Sequence, residues 1–479
     1  MTRTNYFLFT IFLVLSVFIL RAQENVEIWQ MPIAKLSEIN NIDSDTLGNT
    51  YYTAMFAGEM TLAGNKIKAN PSAYVIFAKN SNEEIIWTKL LPFNVKDIAA
   101  TENGVWVLGQ SLKAFSFPEK SLQEYTNPII LLLLSNEGNI EYIAEGGSND
   151  SPAYASAIKY SNGKLSFMVG FEEKFDFDGN SYTTDMEKNQ LIVNLNEEKH
   201  VEWTHLLTGG DSYITGIWAS DFTHDLEGNT WVVGEMSGTV KSGDISYTTH
   251  KTIYGPGESL YDSESFLIKI NVDGKSESLN KIITEADCED IICMKDSTLL
   301  ISGYFKGDIQ GDKKAISCFG DKEITGTLNK YGDATEDSFV AKFDKNLNCI
   351  WVARGKGGSA NRITSSCEDN IGNIFISGFA MYEFGFEGSS GACPVEAVMG
   401  SEQDRYSFSD AFIIKLSPEG NFEYIKRGGG SESDDLKCIH ISNGKLRAGG
   451  SFNGTIVFDG NPINMQSKYY SGVEIIITL

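Results

Sequence analysis

Past its first 20 residues the 479-residue chain holds no apolar run that approaches a membrane-spanning helix, which needs about 20 consecutive apolar residues. Positive charge is scarce: 39 Lys and Arg stand against 64 Asp and Glu, a formal charge of −25. A field of that sign repels phosphate backbones and excludes a nucleic-acid partner. The signatures GxSxG, HExxH and a Walker-type loop are all missing, so no familiar hydrolase or nucleotide chemistry is written in the chain. Cysteine is absent before Cys288, and all seven fall between Cys288 and Cys438 without a CxxC pair. The one close pair, Cys288 and Cys293, has no histidine nearby, which disfavours a structural zinc site. Histidine numbers only five. The turns and strands around them send His200 and His224 to one face and His205 and His250 toward the other, against a shared metal. No cofactor is implied.

What is present begins with an export signal. Arg3 supplies a positive start and Tyr6 to Leu20 an apolar stretch too short for an ordinary spanning helix. Residues 1–22 read as a signal peptide cleaved after Ala22, with an uncleaved anchor as the alternative. No cysteine near the cleavage point suggests a lipid anchor. Removing Arg3 and Arg21 takes the mature chain to near −27, which reads as solubility. With 22% charged and 11% aromatic residues the remainder can build a core. The expected location is secreted, periplasmic or cell-envelope.

Residues 23–479 read as one domain of repeats. The clearest copy, Asp369 to Gly430, holds a Gly-Asn turn at Asn370–Asn373 and a β-rich strand at Ile374–Gly378. A second strand follows at Ala411–Leu416, and a Pro-Glu-Gly-Asn turn leads into a third at Phe422–Lys426. The glycine closing the Ile374 strand recurs as Gly109, Gly170, Gly234, Gly303, Gly378 and Gly450, with Ala54 in the first copy, at spacings of 55, 61, 64, 69, 75 and 72. Such periods signal a propeller or solenoid. The turn before it recurs in every copy but the fifth, which has Asp296-Ser297-Thr298. The last strand of a copy often carries tryptophan (Trp87, Trp203, Trp351), and glycine pairs follow it. The seventh copy stops at Leu479 without its last strand, while Asn25 to Gln30 is a spare segment of matching sequence. An open solenoid would leave both edges bare. The chain is therefore expected to be all-β: a seven-bladed β-propeller of four-stranded antiparallel blades, closed by the N-terminal strand completing the last blade. Trp29 is expected where Trp87, Trp203 and Trp351 stand in theirs.

The pattern "D..GN.Y.(S/T)G.F.G … (D)AF(I/V).K(L/F)…GN..W", carried best by Asp369–Gly430 and Asp337–Gly358, resembles the SBBP repeats of secreted bacterial proteins. That resemblance implies the propeller and carries no catalytic motif. Function is expected in the segments between second and third strands, long in copies four to six: Met236–Glu264, Phe305–Glu336 and Ala380–Ser409. They hold Tyr247, Tyr254, Tyr261, Tyr331, Tyr382 and Tyr406, side chains suited to sugar or protein recognition. These loops should share one face. The competing reading is an extra hairpin packed on the neighbouring blade. Cys318 and Cys393 sit 15 residues after their repeat glycines and are candidate disulfide partners. Asp176-Phe177-Asp178-Gly179-Asn180 superficially resembles a calcium loop, but its recurrence at Phe458-Asp459-Gly460-Asn461 makes it a hairpin turn. The function read from the sequence is an exported, monomeric, non-enzymatic binding or scaffold module for a protein or glycan. The alternative is an exported hydrolase or lyase using carboxylates at the channel mouth.

Overall fold

The computed structural model describes residues 25–479 except 33, 112–115, 118–119, 122–124, 211–214, 256–257, 285, 311–313, 330, 358, 382, 391–396, 399–407, 430–431 and 465–469. The expected signal peptide lies outside the described residues. The chain is all-β, in seven four-stranded antiparallel blades arranged as a propeller. The first strands of the blades are Leu36–Ser44, Asn94–Thr101, Ala153–Ser161, Gly216–His224, Ala286–Cys293, Asn361–Glu368 and Asp435–Ser442. Each lies against the first strand of the next blade, and the seventh against the first. Val26–Gln30 pairs antiparallel with Ser471–Thr478, from Val26 opposite Ile477 to Gln30 opposite Val473, and so forms the outer strand of the seventh sheet.

One irregularity recurs in every blade and explains the repeat glycine. Each first strand carries a bulge against the second, between Ile39 and Asn41, Val95 and Asp97, Ala155 and Ala157, Ala219 and Asp221, Cys288 and Asp290, Ile363 and Ser365, and Leu436 and Cys438. A bulge leaves one residue unpaired and re-aims it. It also pushes a carbonyl toward the facing second strand. A Cβ on Gly303 would stand 1.9 Å from the Asp287 carbonyl oxygen, on Gly234 2.1 Å from that of Trp218, and on Gly378 2.0 Å from that of Arg362. Glycine relieves that approach. The fifth copy keeps the turn shape despite lacking glycine, because Ser297 adopts φ 65°, the left-handed conformation rare for non-glycine residues.

The segments between second and third strands clamp neighbouring blades. Lys174–Phe177 of blade 3 pairs with Gly146 and Gly147 in the outer strand of blade 2. Thr239–Ser242 of blade 4 pairs with Leu207–Gly209 of blade 3. Glu383–Glu387 of blade 6 joins Arg354–Gly357 of blade 5, and Thr455–Phe458 of blade 7 joins Gly428 and Gly429 of blade 6. The two Phe-Asp-Gly-Asn segments are the tips of such hairpins, with φ 48° and 75° at Asp178 and Gly179 and 47° and 82° at Asp459 and Gly460. Positive φ at both central residues marks the type I′ turn. The glycine pairs are where the clamps dock: a Cβ on Gly428 would meet the Phe458 ring at 2.3 Å. Each clamp covers an outer edge that would otherwise be a template for aggregation.

The outer-strand tryptophans reach the next blade. A Cβ on Gly138, Gly274 or Gly420 would lie 2.8, 2.8 or 2.6 Å from the rings of Trp87, Trp203 or Trp351. Trp87 and Trp351 donate to the carbonyls of Asn136 and Pro418 at 2.8 and 3.3 Å. Trp29 departs from this expectation. It pairs with Glu474, whereas Trp87, Trp203 and Trp351 pair with Ala78, Asn194 and Lys342. Counted from the bulge, the matching position of blade 7 is Ile476, which faces Glu27. In the facing turn of blade 1, Glu83 with φ 66° stands where the other turns have Gly138, Gly274 and Gly420, and its carboxylate pairs with Lys445 and Arg447 of blade 7. Trp29 instead lies two residues along, with the Lys79 ammonium 3.9 Å from its ring centre and Phe77 at 5.8 Å.

Candidate functional site

The bulges decide what faces the axis. The seven extra residues are Asn40, Lys96, Ser156, Ser220, Glu289, Thr364 and Lys437, and all line a central cavity of about 490 Å³. The residues just after them add Asp97, Asp221 and Asp290 to its wall, with Lys159, His224, Asp43 and His440 further along. The channel is therefore polar although the blades around it are apolar.

Its carboxylates already have work within the fold. The Asp43 carboxylate accepts the Ala100 N–H at 2.7 Å, that of Asp97 the Ile158 N–H at 2.9 Å, and that of Asp221 the Ile291 N–H at 3.4 Å. Asp290 accepts from the Ser366 hydroxyl. Each bond runs from one blade to the inner strand of the next. Blade 3 has Ala157 at this place, and Lys159 supplies the stitch by pairing with Asp221 at 3.0 Å. Burial raises the Asp97 carboxyl to about 6, against the pull of Lys159. Burial and the nearby Asp221 charge raise Asp290 to about 7. Burial would draw the Lys159 ammonium down, yet Asp221, Asp97 and Asp290 together hold it above its ordinary value. His224 falls to about 4 through burial and the Lys159 charge. Lys159 keeps 35% of its side-chain surface open to the channel, so the cost of losing it is below that of a fully enclosed partner. Lys159→Met is expected to destabilise by about 1–3 kcal/mol at pH 8 and by less at pH 5.5. Asp97 and Asp290 can take up protons at the lower pH and relieve the repulsion. Denaturant midpoints at the two pH values check this.

A second group stands at one mouth of the channel, where second strands end and first strands begin. Glu235 lies near the end of a strand of blade 4 and Asp287 near the start of one of blade 5, and burial and the Asp287 charge raise the Glu235 carboxyl to about 7. Ser263 donates to Glu235 and Tyr304 to Asp287. Arg362 lies 4.0 Å over the Tyr304 ring and pairs with Glu336 at 2.6 Å. Among the described residues no group of three or more His, Cys, Asp or Glu could hold a metal ion.

The tyrosines picked out by sequence are scattered in role. Tyr247 is half-buried on the clamp hairpin of blade 4 and donates to Glu264 at 2.7 Å, a structural bond. Tyr254 and Tyr261 belong to a further hairpin, Lys251–Gly255 with Glu258–Tyr261. The Lys251 ammonium stands 4.9 Å from the Tyr261 ring centre, and the Tyr254 side chain is outside the description. Tyr331 is 73% exposed at the tip of a turn bridged by Leu328 and Ala334. Tyr382 and Tyr406 lie outside the described residues, as does Cys393. Its expected partner Cys318 is exposed on Lys314–Phe319. Sequence reasoning missed Asp97, Asp221 and Asp290. Asp97, Asp221 and Asp290 stand 12, 13 and 13 residues before their repeat glycines, so only the bulges bring them to one place in their blades.

No family model matches the chain, and no curated protein does. Among the solved structures to which it is similar are the following. A protein of unknown function from Bacteroides caccae is 8% identical, with a TM-score of 0.32 over 82% of this chain and 93% of its own. A catalytically inactive virginiamycin B lyase from Staphylococcus aureus, with quinupristin, is 10% identical, with a TM-score of 0.36 over 95% and 100%. The extracellular domain of a putative hybrid two-component system from B. thetaiotaomicron is 8% identical, with a TM-score of 0.24 over 94% and 82%. At these scores the likenesses carry no argument about activity, and what this chain does rests on its own residues.

Proposed function

We propose that this is an exported, non-enzymatic binding or scaffold propeller of the SBBP-repeat type. It would recognise a protein or glycan through the insertions of blades 4 and 5, and through that of blade 6, which lies mostly outside the described residues. The supporting observation is a surplus of chain. Thr239–Thr248 of blade 4 already serves as a clamp, yet Lys251–Tyr261 adds a second hairpin that exposes Leu260, and blade 5 adds the turn that exposes Tyr331. Chain that adds little to the core and presents apolar and aromatic side chains on a rigid scaffold suits recognition. The hydrolase reading has less support, because the channel carboxylates Asp43, Asp97 and Asp221 already accept backbone N–H groups of the next blade. The test is a glycan array and a cell-envelope extract probed with wild type, Tyr331→Ala and a variant whose residues 251–261 are replaced by a short Gly-Ser turn. Binding should fall at least tenfold in the variants while thermal midpoints stay put. Equal binding by all three would remove the reading.

A further inference from the structure

We propose that the seam between blades 3 and 4 holds a binding site for a single hydroxylated sugar ring, at the ends of the strands opposite the long insertions. The argument starts from one row of residues across the sheet, the row that carries the outer-strand tryptophan. In blade 1 it reads Tyr51, Ala78, Trp87, and in blade 5 Leu300, Lys342, Trp351. A long side chain crosses the seam in both. The Tyr51 hydroxyl reaches Asn136 of the next blade at 2.8 Å, and the Lys342 ammonium reaches the Pro418 carbonyl at 3.4 Å. In blade 3 the row reads Ser166, Asn194, Trp203. Its two short side chains leave a cavity of about 220 Å³, bordered on the blade 4 side by His224, Leu226 and Val272.

Asn194 lines this cavity and is 3% exposed. Its Nδ2 donates to the Ser166 hydroxyl at 2.8 Å, and its Oδ1 has no partner. Turning the amide over exchanges the two ends and leaves the nitrogen alone instead. Either way one end of a buried amide is unused. Buried polar side chains are nearly always paired, so the unused end points to an occupant of the cavity. A hydroxyl both donates and accepts, and satisfies the amide in either orientation. The rest of the wall suits a sugar. The Trp203 ring rests on Gly274 and borders the cavity, an apolar surface on which the C–H face of a pyranose packs. Leu226 and Val272, 67% and 51% exposed, extend it. Lys164 and Glu227 also line the cavity, held by exposed pairs with Glu202 at 2.6 Å and Lys345 at 3.0 Å. Such pairs contribute little and can turn to ring hydroxyls. The volume lies below the about 300–1,000 Å³ of sites for drug-sized ligands, which fits one ring rather than a chain segment. The site is separate from the insertions, so the two readings fail independently.

The full chain with isotope-labelled tryptophan tests it. Its seven tryptophans give seven indole signals, and Trp203→Phe identifies that of Trp203. Titration with the methyl pyranosides of glucose, galactose, mannose and N-acetylglucosamine should shift the Trp203 signal saturably for at least one of them, while those of Trp87 and Trp351 stay in place. A hexasaccharide of the responding sugar separates the sources. A shift with both places a chain end in the site, and a shift with the pyranoside alone a free sugar; each supports the proposal. Asn194→Leu, which fills the cavity and removes the amide, should weaken the response at least several-fold, and Asn194→Ala serves if that variant folds poorly. No saturable shift with any pyranoside would mean that the cavity holds water alone. That result, or equal titration in the Asn194 variants, would overturn the proposal.

Discussion

Glu474→Ala should destabilise the protein by about 3–5 kcal/mol, the cost of removing one partner from a buried ionic cluster. Glu474 is fully buried and accepts from Arg447 at 2.8 Å, from Tyr52 at 2.5 Å and from Lys79, while Lys79 and Arg447 keep 2% and 1% of their side-chain surface. Arg447 turns its other face to Glu83 at 2.6 Å. Burial works to raise the Glu83 carboxyl, yet Arg447 and Lys445 hold it down at about 2. The cluster joins blade 7, through Arg447, Lys445 and Glu474, to blade 1, through Tyr52, Lys79 and Glu83. Without Glu474, the Lys79 ammonium is left buried against Trp29 with its closest countercharge gone. Burial already lowers the Lys79 proton affinity. The destabilisation should therefore be largest near pH 6, where Lys79 must stay charged, and smaller near pH 9.5, where it can shed its proton. Denaturant midpoints at both values read this out. The double variant Lys79→Met, Glu474→Leu should recover part of the loss, because a packed apolar pair can match a buried ionic one. No recovery, and no pH trend, would mean the cluster is not what holds that seam.

Deleting residues 25–31 should cost about 4–6 kcal/mol, from the apolar surface of Val26, Ile28, Trp29 and Met31 returned to water. Met31 is 2% exposed, and Val26 and Ile28 pack on the blade 7 core. The bared edge of Ser471–Thr478 should also promote association, visible as a higher-mass species by light scattering. Trp29→Ala alone should cost about half of the 3–5 kcal/mol typical of a buried tryptophan. The ring is half-buried, under the Lys79 ammonium and tilted against Phe77 rather than packed on a turn glycine. A monomeric deletion variant with an unchanged midpoint would show that the strand contributes nothing.

Much of the architecture was legible because the blades repeat. The glycines from Gly109 to Gly450, the missing last strand of the seventh copy and the spare Asn25–Gln30 segment together specify sheets, order and pairing. What stayed hidden involves partners distant in sequence or a break in period. Lys174–Phe177 shows its turn locally, but its docking on Gly146 and Gly147 is a contact between blades that no alternation reports. The channel wall stayed hidden because a bulge adds a residue and inverts the two-residue alternation beyond it. Lys96 and Asp97, or Glu289 and Asp290, both line the cavity although they are neighbours in sequence. The reading of the long insertions was half right in its competing form: Thr239–Thr248 and Glu383–Glu387 are hairpins packed on the neighbouring blade. Tyr247 is consumed there rather than displayed. Glu83 stands in place of a turn glycine, and Trp29 lies two positions from the place of the other outer-strand tryptophans.

The central claim is that the two ends of the described chain are joined in one cooperative sheet. The most direct measurement is native-state hydrogen exchange of the amides in Val26–Gln30 against those in Ser471–Thr478 and in the inner strands of blades 3 to 5. If Val26–Gln30 completes the seventh blade as paired here, its hydrogen-bonded amides should exchange as slowly as those of Ser471–Thr478, with an opening free energy near that of global unfolding. Exchange of Val26–Gln30 within seconds, while the inner strands stay protected, would contradict the account.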